Sequence, residues 1–331
     1  MDFDCANDIT KYQPRMRKTL TILMMTLFCV MAMGQEAVKV VAKFKKGDYV
    51  VYDIKQTTTQ VSDANDTHEF VIAGETRYDV IGADKTGYTI ACKTQKWESQ
   101  NSPENDLASN LVKSAMTMLV GQSVIMRTNL EGKIVKIENM DELRQKMEDY
   151  MDGLLDKLFS GEGMNNQDII SKEKMRKIML DEITEEKLLE SMDANDQFSL
   201  YGKTISTGTT IDQKISGLKF KTTYEVAPIQ KTGVRTIKSS SVSDMTKEDI
   251  KSMIINQMEK VMPEMTETLK DSFDALAGTD IMTIEGKKKS SFDILDNGWV
   301  KYSDSLLEFK MMGSETKSHT TSVIKECSWA K

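Results

Sequence analysis

From Tyr49 onward the chain alternates. Val50, Tyr52 and Ile54 fall on one side of an extended segment, with Asp53 and Lys55 on the other. Phe70, Ile72, Tyr78 and Val80 alternate in the same way with Glu75, Arg77 and Asp79, and Tyr88, Ile90 and Cys92 follow Gly87. A period of two with one polar face predicts antiparallel strands buried on one side. Asp63-Ala64-Asn65-Asp66 and Asp84-Lys85-Thr86-Gly87 supply the turns between them.

The period then changes. Ser102-Pro103-Glu104 opens a helix with Leu107, Leu111, Ala115 and Met118 on one face. A hairpin over Val124–Leu130 and Lys133–Ile137 turns at Glu131-Gly132. After it, Asn139 and Glu142 are spaced as a capping box ahead of the stripe Leu143, Met147, Met151, Leu154 and Leu158. Residues 167–192 read as further helix with charged outer faces.

The second half follows the same order. Thr76-Arg77-Tyr78-Asp79-Val80 with Lys85-Thr86-Gly87 has a counterpart in Thr222-Thr223-Tyr224-Glu225-Val226 with Lys231-Thr232-Gly233, at a constant offset of 146. A helix over 247–276 with a kink at Pro263 follows, then a hairpin at Asp296-Asn297-Gly298. The fold class this predicts is α+β: a curved, half-barrel-like antiparallel sheet of roughly ten strands, with helices inserted between strand groups and two repeated modules. The boundaries are 1–34 ahead of the fold, 35–200 for the first module with a helical insert and 201–331 for the second, or one continuous domain over 40–331.

Ahead of the strands, Arg17 and Lys18, the apolar run Leu20–Met33 and Ala32-Met33-Gly34 have the form of a secretory signal peptide cut after Gly34, with Met16 as the start. The run is short for a bilayer span. Leu27 and Phe28 before Cys29 are not the small residues that a lipidation site needs. The expected mature protein is exported to the periplasm or cell surface of a Gram-negative bacterium and is not an integral membrane protein.

Composition narrows the chemistry. The mature chain carries a net charge of −8, which does not favour nucleic acid. Its two cysteines, Cys92 and Cys327, permit one disulfide in an oxidising compartment or two buried thiols. With only His68 and His319, neither a nucleophile–imidazole site nor a zinc site is expected. Gly202-Lys203-Thr204 lacks the earlier glycine of a phosphate loop, since position 197 is Gln197. Asp63-x-Asn65 and Asp193-x-Asn195 lack the glycine and glutamate of a calcium loop. No catalytic residue, metal or cofactor is expected, and a hydrolase built on paired carboxylates is the least favoured reading.

Methionine is the abundant feature, with eighteen of 24 remaining after cleavage, most of them in or beside the helices. A flexible, polarisable side chain suits a cavity for variable apolar ligands. The expected site lies between sheet and helices and is lined by Tyr52, Tyr78, Tyr224, Met147, Met151, Met258 and Met265. Its ligand would be a hydrophobic small molecule. The alternative is an envelope structural or assembly factor with a protein interface.

Lys45-Lys46-Gly47-Asp48-Tyr49-x-x-Tyr52, the threonine-rich strands, the hairpin Leu130-Glu131-Gly132-Lys133-Ile134 and the closing hairpin at Gly298 resemble an uncharacterised family of secreted bacterial proteins, over about residues 40–313. Where that family carries Gly-Asp-x-Trp, this chain has Gly202-Lys203-Thr204-Ile205. The element order is also similar to the half-barrel of periplasmic lipoprotein carriers, which implies a curved sheet with helices over its concave face. No residue roles come with either resemblance.

Overall fold

The computed structural model describes residues 37–331 except 62–66, 101–119, 161–170, 182, 194–196, 216, 262, 264–265, 267–283, 312–313 and 331. The leader, the helix expected from Ser102, the turn at Asp63–Asp66 and most of the segment beyond Val261 therefore lie outside the described residues.

The alternating segments are long strands: β2 (Tyr49–Val61), β3 (Thr67–Asp84) and β4 (Gly87–Gln100). After them comes the short hairpin β5 (Ser123–Thr128) and β6 (Ile134–Ile137). The second half supplies β8 (Thr210–Ile215), β9 (Leu218–Val226), β10 (Arg235–Ser243), β11 (Ile284–Ile294), β12 (Val300–Met311) and β13 (Ser314–Ser328). These eleven form one antiparallel sheet in the order β6-β5-β4-β3-β2-β13-β12-β11-β10-β9-β8. A second, two-stranded sheet pairs β1 (Val38–Lys39) with β7 (Thr204–Ile205).

Eleven strands would span about 50 Å if the sheet were flat. Yet one contiguous apolar cluster joins Ile134 at the β6 end to Tyr224 and Ile237 near the β8 end. The face that carries these side chains is therefore the inside of a curve, and since β6 and β8 both remain edges the sheet does not close into a barrel. Both expected modules contribute to the one sheet, joined where β13 pairs with β2 from Tyr49↔Ser328 to Val61↔Glu315. The matching segments at 76–80 and 222–226 fall on β3 and β9 of that sheet, and their likeness does not by itself show a duplication.

One end of the curve is filled by aromatic rings from three connecting segments. Phe44 stacks on Trp299 at 4.1 Å and meets Tyr201 edge-on at 5.8 Å, while Tyr78 packs on Phe198 and Tyr52. The phenols keep their hydrogen bonds: Tyr52 donates to the Val300 carbonyl at 2.7 Å and Tyr201 to that of Gly298 at 2.8 Å. This is the arrangement that lets a large amphipathic ring be buried without orphaning its hydroxyl. The Asn-Gly turn forms as expected, with Gly298 at φ 93° and its N–H donating to Leu295. A Cβ on Gly298 would meet the Val41 carbonyl at 2.6 Å, so the turn also needs glycine for close approach.

The helices are α1 (Met140–Ser160), α2 (Lys172–Asp181), α3 (Glu185–Asp193) and α4 (Lys247–Val261). Asn139 does not form the expected capping box. Its side chain accepts from the Ile125 N–H and donates to the Ser123 carbonyl, satisfying backbone groups of β5. Helix α3 lies against the β6 edge, where Glu185 accepts the Ile137 N–H at 2.9 Å. Helix α4 packs Ile250 on Ile284, Leu218 and Phe309, on the inner face away from the aromatic end, and touches α2.

The disulfide that the sequence permitted is not formed: Cys92 and Cys327 are free thiols. The register Cys327↔Val50↔Tyr78↔Cys92 puts two strands between them, a separation of about 14 Å that no disulfide spans. Burial pushes the Cys92 thiol up to about 12, whereas Cys327 is exposed. At pH 8 a thiol reagent is thus expected to modify Cys327 rapidly and Cys92 only after denaturation; two equally fast thiols in the native protein, read by mass, would contradict this register.

The buried Asp48 carboxylate accepts the N–H groups of Lys45 at 2.8 Å and Ala330 at 2.6 Å, tying the last residues of the chain to the turn before β2. Asp48→Ala should lower stability by about 1–3 kcal/mol in urea unfolding, with an altered Trp329 environment. At the start of α4, Asp249 bonds the Lys219 ammonium and the Thr246 N–H and hydroxyl, which hold its carboxyl down to about 2. A depressed folded-state value means that its stabilisation is complete above the ordinary carboxylate range and disappears as pH falls toward 2. Asp249→Asn is expected to flatten stability against pH between about 4 and 2, as followed by circular dichroism.

Candidate functional site

Along the inner face the side-chain chemistry changes in rows. The row Val226–Ile237–Phe292–Ser303–Ser322–Ile54–Gly74–Trp97 borders the aromatic end. The next is Tyr224–Ser239–Ser290–Ser305–Thr320–Gln56–Ile72, and beyond it lies Thr222–Ser241–Lys288–Leu307–Ser318–Thr58–Phe70. Because side chains on one face recur every second residue and adjacent strands are in register, these rows form a continuous belt of hydroxyls across the curve. Thr58, Thr222, Ser241, Ser290, Ser303, Ser305 and Ser322 are buried.

The belt bonds largely to itself. Thr222 donates to Ser241 at 2.8 Å and accepts from the Gln213 amide at 2.7 Å; the Ser290 and Ser305 hydroxyls meet at 2.9 Å; Gln56 donates to Ser318, and Gln197 to Ser322. A hydroxyl has one proton and two acceptor sites, so a serine pair joined by one hydrogen bond retains a donor and acceptors for a third party. The fully buried Ser303 Oγ has no protein partner. Burying hydroxyls gains little and costs when they go unsatisfied, so a wall built for stability alone would carry aliphatic residues here.

Apolar side chains flank the belt. Trp97 lies over Gly74, where a Cβ would come within 2.5 Å of the indole ring. Ile54, Phe70 and Leu307 are only half-buried on the same face. A cavity of about 40 Å³ opens between Tyr224, Ser239, Ser241, Lys288, Ser290 and Phe292 and the facing Leu200 and Gln213, room for a few waters. At its margin Lys203 donates to Gln213 and to the Tyr224 hydroxyl, whose own ionisation burial pushes up to about 12.

Of the six described among the seven residues expected to line one site, the three tyrosines share one apolar cluster of the sheet, and Met147 and Met151 stand apart from it. Tyr52 and Tyr78 belong to the aromatic packing, while Tyr224 alone lines the belt cavity. Met147 and Met151 pack with Met140, Met175 and Met179 in a separate cluster of the helices. Met258 is half-buried on α4, and Met265 lies outside the described residues. Methionine here fills the irregular gaps between short helices. Sequence reading missed the belt, although its signal is present: serines at alternate positions, such as Ser239 and Ser241 or Ser303 and Ser305, stand where a strand facing an ordinary core carries valine or isoleucine.

Among the described residues no cluster of histidine, cysteine, aspartate or glutamate has metal-binding geometry, and no helix is long and apolar enough to cross a membrane. No family model and no curated protein sequence matches the chain. Among solved structures it is similar to lipovitellin, solved for its lipid–protein interactions, at 10% identity and a TM-score of 0.40 over 87% of this chain; the match spans only 26% of the lipovitellin chain. DynF from the dynemicin biosynthesis pathway of Micromonospora chersina matches at 5% identity and a TM-score of 0.21, covering 90% of this chain and 88% of DynF. The outer membrane protein Omp33 of Acinetobacter baumannii matches at 5% identity and 0.19, covering 85% of this chain and all of Omp33. These likenesses are too slight to carry a fold family or a function over to this chain.

Proposed function

We propose that the protein binds an amphiphilic molecule on the inner face of its sheet, with the polar part on the hydroxyl belt and the apolar part along Ile54, Phe70, Trp97 and Leu307. The observation that carries this reading is the belt itself, buried hydroxyls with spare hydrogen-bonding capacity where an ordinary core would be aliphatic. Helix α4, which packs on the inner face, and α2, which touches it, would form the cover. The compartment that goes with this reading is the periplasm or cell surface, on the strength of the basic pair and apolar run at residues 17–34. The alternative, an assembly factor that adds a partner strand, is disfavoured at the β8 edge, where Asp212 and Lys214 put opposite charges on a six-residue strand.

Trp97 reports on the site. A monomeric amphiphile with bromine on its chain, kept below its micelle concentration, is expected to quench the wild-type tryptophan emission saturably. In Trp97→Phe the quench should largely vanish, because Trp299 lies within the aromatic packing and Trp329 at the chain's end. Ser305→Phe, which projects a ring into the belt, should weaken binding about tenfold or more, equivalent to about 1.4 kcal/mol. Quenching that survives Trp97→Phe unchanged, or its absence in the wild type, would sink the reading.

A further inference from the structure

The aromatic end of the sheet gathers the turns before β2 and between β3 and β4, β5 and β6, β9 and β10, and β11 and β12 into one rim. Each of the first four carries exposed lysine: Lys45 and Lys46, Lys85, Lys133, and Lys231. Two of the rim's acids are already neutralised, Asp84 by Arg127 and Glu131 by Lys39. A third, Asp48, is buried on backbone N–H groups. At the opposite end Lys219 pairs with Asp249, Lys310 with Glu315 and Lys317 with Glu308. Asp296 is exposed in the fifth turn, but Lys43, Lys45, Lys46, Lys85, Lys231 and Arg235 outnumber it, so a chain of net charge −7 concentrates positive charge at this end.

The same rim exposes large apolar side chains at its turn tips. Leu130 is 54% exposed, Ile229 53% and Trp329 38%. Beside Ile229 a cavity of about 190 Å³ is walled by Lys39, Lys43 and Arg235 together with Val38. Lysines next to protruding leucine, isoleucine and tryptophan match an anionic bilayer surface, where the ammonium groups meet lipid phosphates and the apolar tips enter the interface.

We propose that this rim is a docking surface for an anionic membrane, which would set the open curve of the sheet on end against the bilayer. The proposal goes beyond the inner-face reading and does not need it: the chain from Gln35 onward, without the apolar run, is tested by flotation with vesicles, whereas the amphiphile is tested by Trp97 quenching without vesicles, so either can fail alone.

The variant Lys46→Glu/Lys85→Glu/Lys231→Glu changes three exposed side chains and is checked for fold by circular dichroism and urea midpoint. Wild-type protein should float with phosphatidylcholine vesicles containing phosphatidylglycerol. The variant should bind them about 100-fold or more weakly, and raised salt should release the wild type, while Lys287→Glu/Lys289→Glu on the outer face should behave as wild type. Equal binding by the wild type and the triple variant overturns the proposal. So does lipid-free self-association in sedimentation velocity that the same triple variant abolishes, which would make the rim an interface between copies. Should the triple variant unfold, the decision passes to Trp329 in the wild type: emission shifted to the blue on anionic but not on neutral vesicles, and lost in Trp329→Phe, supports docking, and no shift overturns it.

Discussion

The continuity of the sheet depends on the pairing of β13 with β2, thirteen pairs from Tyr49↔Ser328 to Val61↔Glu315 that join the two ends of the described chain. Without it β2–β6 and β8–β13 would be separate sheets, each with another exposed edge, and the inner face would not be continuous. The Asp48 carboxylate fastens this seam by holding the N–H of Ala330. Partners more than 250 residues apart in sequence must meet before the core can close, so this contact is entropically expensive to form and late contacts are expected to depend on it.

Given that seam, the curve sorts the inner face by chemistry. Near the turn rim, rings from three connections pack at 4–6 Å and keep their phenols bonded, and apolar burial there dominates stability. Further along, the hydroxyl belt contributes little net energy but much directional bonding capacity. Beyond it α4 restores an apolar contact through Ile250 and Ile284. The face is thus apolar at both ends and hydroxylated in the middle, which is the pattern that the proposed amphiphile would match.

The charge distribution supports the same axis. The rim collects more lysine than acid, while at the far end Lys219, Lys310 and Lys317 pair with carboxylates on α4 and on adjacent strands. Lysine at strand ends also discourages edge-to-edge association, but it does not require leucine, isoleucine and tryptophan to protrude beside it.

Alternation along β2, β3 and β4 was readable because a half-buried strand must repeat every two residues, and the turns at Asp84–Gly87 and Asn297-Gly298 were readable because their backbone needs those residues. The apolar stripe of α1 was readable for the same local reason. Local pattern could not give the partners. β13, rich in serine, threonine and charge, has no strong alternation, and only its place between β2 and β12 makes it a central strand. Cys92 and Cys327 looked equally able to bond or not until the register put two strands between them. The tyrosines looked like cavity lining because burial and ligand contact demand the same side chains; only packing distances distinguish them. The serines of the belt gave no such signal for the complementary reason: a hydroxyl is equally at home in water and on a buried wall with partners. Which of the two it meets is decided by the curvature of the sheet, a property of eleven strands together and of no one segment.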